Sequence, residues 1–270
     1  LTGGASGACT HLFTRKEEVH VIPHVSLDEV ARLERLDPSG NGAIWDERVE
    51  SWEAVAASPA FRRLAEVVCE LAKPRPEDEV VDLGAGTGLL ALSLAPVVRT
   101  VMAVDSSAAM LDRLSEKAGQ AQLSNIHPVL ADLRCVPLAD ESVSLAVSNY
   151  ALHHLPDEAK ELALSEVRRV LVPGGRLVVC DMMFALSLSP RDRNVIFDKL
   201  ALIARQGPAG LLRIAKNGIR ILTRKWEHPS PAESWEQMLS DRHFTDISVQ
   251  LLEHEAGIAV ARRPARSDEP

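Results

Sequence analysis

The sequence predicts an α/β fold: a doubly wound, mostly parallel seven-stranded sheet, with N-terminal helices and a helical insertion before the last two strands. Two observations lead there. Between residues 77 and 181, short apolar runs alternate with amphipathic stretches of helical period, and the joint after the first run carries three alternate glycines. Such alternation demands right-handed crossovers and hence parallel strands, whose carboxyl ends are where ligands settle.

The elements follow in order. A Gly/Ala/Ser/Thr-rich start opens an N-terminal arm, 1–25, expected to be flexible. Ser26 and Glu29 form a capping box ahead of Leu27, Val30, Leu33 and Leu36, predicting a helix that stops near Asp37-Pro38-Ser39-Gly40. A second helix is expected over 43–56, with Trp45 and Trp52 seven apart on one face. Ser58-Pro59 reads as N-cap and first-turn proline of a third, carrying Phe61, Leu64, Val67, Val68 and Leu71 until Pro74 and Pro76 end it. These helices make a cap over 26–76, and the sheet domain spans 77–263.

Strands are expected over 79–83, 100–105, 126–130, 143–148 and 176–181, with helices at 89–95, 108–118 and 158–170. The alternation then breaks, and 182–231 reads as a helical lid insertion. Two further runs, 245–252 and 257–262, are joined too tightly for a crossover and predict an antiparallel pair, with a frayed tail over 264–270.

Bulk properties narrow the function. Hydrophobic residues make up 46% and charged residues 25%, enough for a sizeable core, and the net charge of −8 repels nucleic-acid backbones and anionic membranes. Cys9, Cys69, Cys135 and Cys180 stand far apart without CxxC spacing, which fits reduced thiols in a cytoplasmic protein rather than zinc or disulfides. His20 and His24 flank Pro23 near Glu18, but the proline spoils a shared helical face, so no metal site is expected. No signal-peptide order opens the chain and no long apolar run crosses a membrane. The basic stretch 211–226 reads as the solvated face of a substrate lid, with peripheral membrane contact as the sharper alternative.

The chemistry concentrates in Val80-Val81-Asp82-Leu83-Gly84-Ala85-Gly86-Thr87-Gly88, a buried strand entering a glycine turn and then a helix. Glycines allow positive φ and close approach of a ligand to the main chain. Asp105, ending the next strand, is placed to accept hydrogen bonds from ribose hydroxyls. A dinucleotide fingerprint would put its third glycine at position 89, where Leu89 stands.

On these residues the chain resembles the class I S-adenosylmethionine-dependent methyltransferases, whose first motif is a hydrophobic strand followed by Asp-x-Gly-x-Gly-x-Gly. The order and spacing of "VSLAVSNYALHHL" from Val143 and "RVLVPGGRLVVCD" from Arg169 are similar to the ubiquinone/menaquinone-biosynthesis group. The resemblance implies a Rossmann-like methyltransferase fold and S-adenosyl-L-methionine as cofactor. It places Asp82, Gly84, Ala85, Gly86 and Gly88 at the cofactor, Asp105, Ser106 and Met110 at the ribose, and Asp132 with Leu133 at the adenine.

After the fourth strand, Asn149 and Tyr150 are pocket candidates, and His153 and His154 are candidates for a base or a substrate contact. Trp45 and Trp52 read either as core packing or as a lid whose rings suit a sulfonium. The expected activity is methyl transfer to a small-molecule carbon, oxygen or nitrogen by in-line displacement. An NAD(P)-dependent oxidoreductase and a non-catalytic adenosyl-nucleoside-binding module are the alternatives. The acceptor and the oligomeric state are open at this point.

Overall fold

Val80, Val81, Asp82 and Leu83 are all buried because their strand, β1 (Glu79–Leu83), lies inside the sheet between two parallel neighbours. The computed structural model describes residues 42–185, 227–252 and 255–267. The arm, the helix opened by Ser26, the His20/His24 pair, the basic stretch 211–226 and most of the insertion lie outside the described residues.

Three short helices come first: α1 (Gly42–Asp46), α2 (Val49–Ala56) and α3 (Pro59–Ala72). After β1 come α4 (Leu89–Leu94), β2 (Thr100–Asp105), α5 (Ala108–Gln120), β3 (Ile126–Leu130) and β4 (Val143–Asn149). A 3-10 turn over Leu152–His154 leads to α6 (Asp157–Val170) and β5 (Leu171–Met182); α7 (Ala232–Asp241), β6 (Thr245–Leu251) and β7 (Ala256–Arg262) complete the described elements. Among the described residues the sheet has seven strands in the order β3-β2-β1-β4-β5-β7-β6. The pairs from β3 to β5 are parallel, whereas β7 is antiparallel to both β5 and β6. Strand order reverses between β1 and β4, and a crevice for a ligand forms at such a switch point.

Alternate side chains of the strands feed two cores. Val81 and Leu83 pack with Ala163, Leu164 and Val167 of α6 and Trp235 and Leu239 of α7. On the other face Val80, Val101 and Ala103 meet Ala65 and Val68 of α3, Leu90 of α4 and Leu114 of α5. Each buried Val or Leu contributes roughly 1.5–3 kcal/mol by leaving water, and this two-sided burial explains why the strands read as unbroken apolar runs.

Helix α3 begins where Ser58 caps it, its hydroxyl accepting from Phe61 N–H at 3.4 Å with Pro59 in the first turn, and it ends at Lys73 in a left-handed conformation. Its last carbonyls, Ala72 and Lys73, accept from Arg176 at 2.7 Å each, and the same guanidinium pairs with buried Asp78. Burial pushes the Asp78 carboxyl up, but hydrogen bonds from Ser144, Arg176 and Arg75 N–H bring it below its ordinary range. A cation at a helix C-terminus is also favoured by the helix dipole.

Several expectations are corrected. The single helix over 43–56 is two helices broken at Glu47 and Arg48, so Trp45 and Trp52 stand on different helices, yet their rings still meet edge to face at 6.1 Å. Strand β5 starts at Leu171, ahead of Pro173-Gly174-Gly175, because Leu171 already pairs with Val143 and the ladder resumes past an irregularity at Leu145 and Arg176. It also runs on to Met182, where the insertion was expected to begin. The tail expected to fray from Pro264 is held at first: the Pro264 carbonyl accepts from Gly174 N–H at 3.2 Å, and Arg266 pairs with Glu141 at 2.7 Å.

Candidate functional site

The site is assembled at the carboxyl ends of β1, β2, β4 and β5. Gly84, Gly86 and Gly88 all hold positive φ, of 69°, 52° and 91°. A Cβ on Gly84 would stand 2.3 Å from Ala151 Cβ, and one on Gly86 would meet Trp52 Nε1 at 3.0 Å. The turn therefore tolerates no side chain at the first position, and the cap lies directly over the second.

Beneath the turn, Asp82 points inward. Its Oδ2 accepts from Ala91 N–H at 3.0 Å, tying β1 to the first turn of α4. Burial, outweighing that hydrogen bond, pushes its carboxyl up to about 7, with the neighbouring Asp105 adding to the rise.

Asp105 faces the turn from β2. Its Oδ2 accepts from Gly86 N–H at 2.8 Å and its Oδ1 from Ser107 N–H at 2.9 Å. Burial pushes this carboxyl up against hydrogen bonds from the amides of Ser107, Gly86 and Ser106, and the Asp46 carboxylate adds to the rise. A carboxylate in that position has lone pairs to spare and gains from further donors, such as a ribose diol. Ser107 caps α5 by accepting from Met110 N–H at 3.2 Å, and Met110 itself is buried. Ser106 presents its carbonyl to Gly42, where a Cβ would come within 2.1 Å.

Asp132, in the turn after β3, is linked to β2 through Ala131 N–H, which donates to the Asp105 carbonyl at 3.0 Å. Both its carboxylate oxygens accept from Arg134, at 2.9 Å from Nε and 2.6 Å from a terminal nitrogen, and Leu133 lies half-buried beside it. On β4, Asn149 is buried, and neither its amide nitrogen nor its oxygen has a hydrogen-bond partner. An orphaned amide at that depth costs about 1–3 kcal/mol per polar atom unless a ligand satisfies it.

The next wall is aromatic. The ring centroids run Trp45 to Trp52 at 6.1 Å, Trp52 to Phe61 at 5.5 Å, Phe61 to Tyr150 at 4.9 Å, and Tyr150 to His153 at 5.7 Å. His153 lies 3.9 Å from His154, which lies 4.8 Å from Trp45 and closes the circuit. Cap helices and β4 loop thus contribute alternate arcs of one ring of side chains. Burial above all keeps the Tyr150 phenol protonated, shifting it well above its ordinary range.

His153 is buried and fixed by Asp181 at the end of β5. Asp181 Oδ1 lies 2.5 Å from His153 Nδ1 and accepts from Met182 N–H at 2.7 Å, while Oδ2 accepts from the amides of Leu152 and His153 at 2.8 and 3.1 Å. Burial raises the Asp181 carboxyl, but the charge and hydrogen bond of His153, with Met182 N–H and the charge of His154, bring it net below its ordinary range. The His153 carbonyl accepts from His228 N–H at 2.6 Å, and fully buried Lys160 reaches Asp157 at 2.8 Å, Ser230 Oγ at 2.5 Å and the His228 carbonyl. The histidine turn is therefore clamped to the strand ahead and to the segment returning at 227–230.

The cap is clasped to α5. Asp46 Oδ1 accepts from Ser107 Oγ at 2.6 Å and from Ala109 N–H at 3.1 Å, and the ion pairs Arg113–Glu50 and Lys117–Glu53 measure 2.6 and 3.0 Å. Asp46, Phe61, Lys160 and Asp181 were not singled out as site residues in the sequence. Of these, Asp181 carried a usable signal, a carboxylate closing a central strand as Asp105 does. Among the described residues no cluster fit for a metal ion and no helix long and apolar enough to cross a membrane occurs, and Cys69 and Cys180 are free thiols.

Comparison with known proteins agrees with this geometry. Residues 80–175 match a family model described as a methyltransferase domain. The chain is 29% identical over 213 residues to a demethylmenaquinone methyltransferase of Paenarthrobacter aurescens, covering 77% of this chain and 78% of that one. It is 32% identical over 152 residues to an uncharacterized methyltransferase of Mycobacterium tuberculosis, covering 56% and 66%. Against several other curated relatives the match spans less than half their length, from 39% to 47%. A crystal structure of a SAM-dependent methyltransferase from Aquifex aeolicus superposes with a TM-score of 0.56 at 16% identity, covering 81% of this chain and 98% of that one.

Proposed function

Because the chain belongs to the class I S-adenosylmethionine-dependent methyltransferases, we propose that it transfers a methyl group from S-adenosylmethionine to a small-molecule acceptor by in-line displacement. The observation that carries this reading is the buried Asn149 amide, unpartnered at the switch-point crevice and facing the same strand ends as the glycine turn and Asp105. The residues fit the cofactor. Gly84, Ala85, Gly86 and Gly88 would line its methionine end, Asp105 with Ser106 and Met110 its ribose, Asp132 with Leu133 its adenine, and Asn149 would gain the partner it lacks.

When bound, S-adenosylmethionine supplies a methyl group made electrophilic by a positively charged sulfur. The chain's own task is then to align an acceptor and keep water away, since orientation and exclusion of solvent carry most of such a reaction. The rings of Trp45, Trp52 and Phe61 serve that exclusion. The net charge of −8 disfavours a nucleic-acid acceptor, and the relative named for demethylmenaquinone supports a small, partly apolar one.

The test is incubation of the full chain with methyl-labelled S-adenosylmethionine and separate metabolite, nucleic-acid and protein fractions. Label is expected in low-mass, solvent-extractable product. Label confined to the macromolecular fractions would refute the small-molecule reading.

A further inference from the structure

We propose that the indole N–H of Trp52 donates to the carboxylate at the methionine end of S-adenosylmethionine, which makes the cap a working part of the cofactor site; this rests on the methyl-transfer reading above. The direction of the ring carries the assignment. From the place a Cβ would take on Gly86, the nearest atom is Trp52 Nε1 at 3.0 Å, with its ring neighbours Cδ1 and Cε2 at 3.7 and 3.8 Å. The N–H corner of the indole, rather than its face or its benzene edge, therefore points onto the glycine turn. Among the described residues that N–H has no hydrogen-bond partner.

The half-buried ring is held from several sides. It meets Trp45 and Phe61 edge to face, with centroids 6.1 and 5.5 Å apart. Glu50 and Glu53, which flank it on α2, pair with Arg113 and Lys117 of α5 at 2.6 and 3.0 Å. Those pairs fix the helix and neutralise the two carboxylates beside Trp52 in sequence.

An indole has one donor and no acceptor, so only an electron-rich group completes it. At the methionine end the ammonium and the sulfonium are cationic, which leaves the carboxylate oxygens. That carboxylate also needs a donor at this place. Asp82 and Asp105 stand on the sheet side of the turn, and Asp105 already takes the Gly86 N–H at 2.8 Å. Like charges close together disfavour one another unless hydrogen bonds meet the ionised form. Because the same indole belongs to the aromatic circuit around His153 and His154, cofactor loading also fixes one wall of the acceptor site.

Calorimetry on the full chain compares three probes that share the adenosyl thioether: S-adenosylhomocysteine, its decarboxylated form, and 5′-methylthioadenosine, which lacks the whole amino-acid end. Trp52→Phe keeps an aromatic ring and removes the N–H. It is expected to weaken S-adenosylhomocysteine by about tenfold or more while the other two change by less than about twofold, since only the first loses a hydrogen bond to a charged group. Loss of packing alone would weaken all three alike. In ¹H–¹⁵N spectra of the wild type, independent of how the variant folds, the Trp52 indole signal should move downfield with S-adenosylhomocysteine and stay in place with the decarboxylated form. An equal loss on all three probes, an unchanged or tighter S-adenosylhomocysteine affinity in Trp52→Phe, or an indole signal that treats the two ligands alike would overturn the proposal. A wild-type chain that binds none of the three would instead defeat the methyl-transfer reading beneath it.

Discussion

A Gly84→Ala chain is expected to bind S-adenosylhomocysteine about 100-fold more weakly, or not at all, and to unfold with a stability lower by about 2–5 kcal/mol. Two costs combine. The residue holds φ of 69°, a left-handed conformation that charges an alanine about 1–2 kcal/mol, and its Cβ would stand 2.3 Å from that of Ala151. Ala151 has no flexible end to swing aside, so backbone must move, and it follows Asn149 and Tyr150 on the opposite wall of the crevice. Gly86→Ala makes the contrast: its Cβ meets only the Trp52 indole at 3.0 Å, on the cap. That variant should lose affinity with a smaller loss of stability. Thermal unfolding and calorimetry on both chains give the answer, and wild-type affinity in Gly84→Ala would show that the turn does not shape the ligand site.

The second large effect concerns Asp82 and pH. Burial raises its carboxyl from 3.8 to about 7 in the folded chain. Between about pH 4 and 7 the folded state therefore keeps a proton that the unfolded state has released, and stability declines as pH rises through that window. Above it the buried charge costs on the order of 4 kcal/mol. Asp82→Asn keeps an oxygen for Ala91 N–H while removing the charge. It should match the wild type near pH 4 and exceed it by up to about 4 kcal/mol at pH 8, roughly 8–16 °C in Tm. Denaturant titrations at the two pH values measure it; a variant less stable than the wild type at pH 8 would mean the ionised carboxylate is held by a partner.

Legibility followed the range of the interactions involved. The bounds of β1 and β2 were readable because strands inside the sheet are largely apolar runs between turns, and those of the edge strand β3 because Ile126, Val129 and Leu130 still mark a short run there. The glycine turn and Asp105 were readable for the same local reason. The break at Glu47 was not: it lets Gly42 and Asp46 dock on Ser106, Ser107 and Ala109, some sixty residues away in sequence, and helical period carries no trace of that contact. Pro173-Gly174-Gly175 looks like a turn, and only the pairing of Leu171 with Val143 draws it into β5. Lys160 carries no mark of burial in the sequence, since lysines on helices ordinarily stay in water, yet it is completely buried, with Asp157, Ser230 and the His228 carbonyl as its partners. His153 was visible as a candidate, but the carboxylate that orients it comes from another strand.

The central claim is that the carboxyl ends of β1, β2 and β4 form a pocket for an adenosyl thioether. Its most direct test is calorimetric titration of the full chain with S-adenosylhomocysteine, repeated in excess NADPH. One equivalent should bind, with an affinity on the order of micromolar that NADPH leaves unchanged. Absence of binding, or displacement by NADPH, would contradict it.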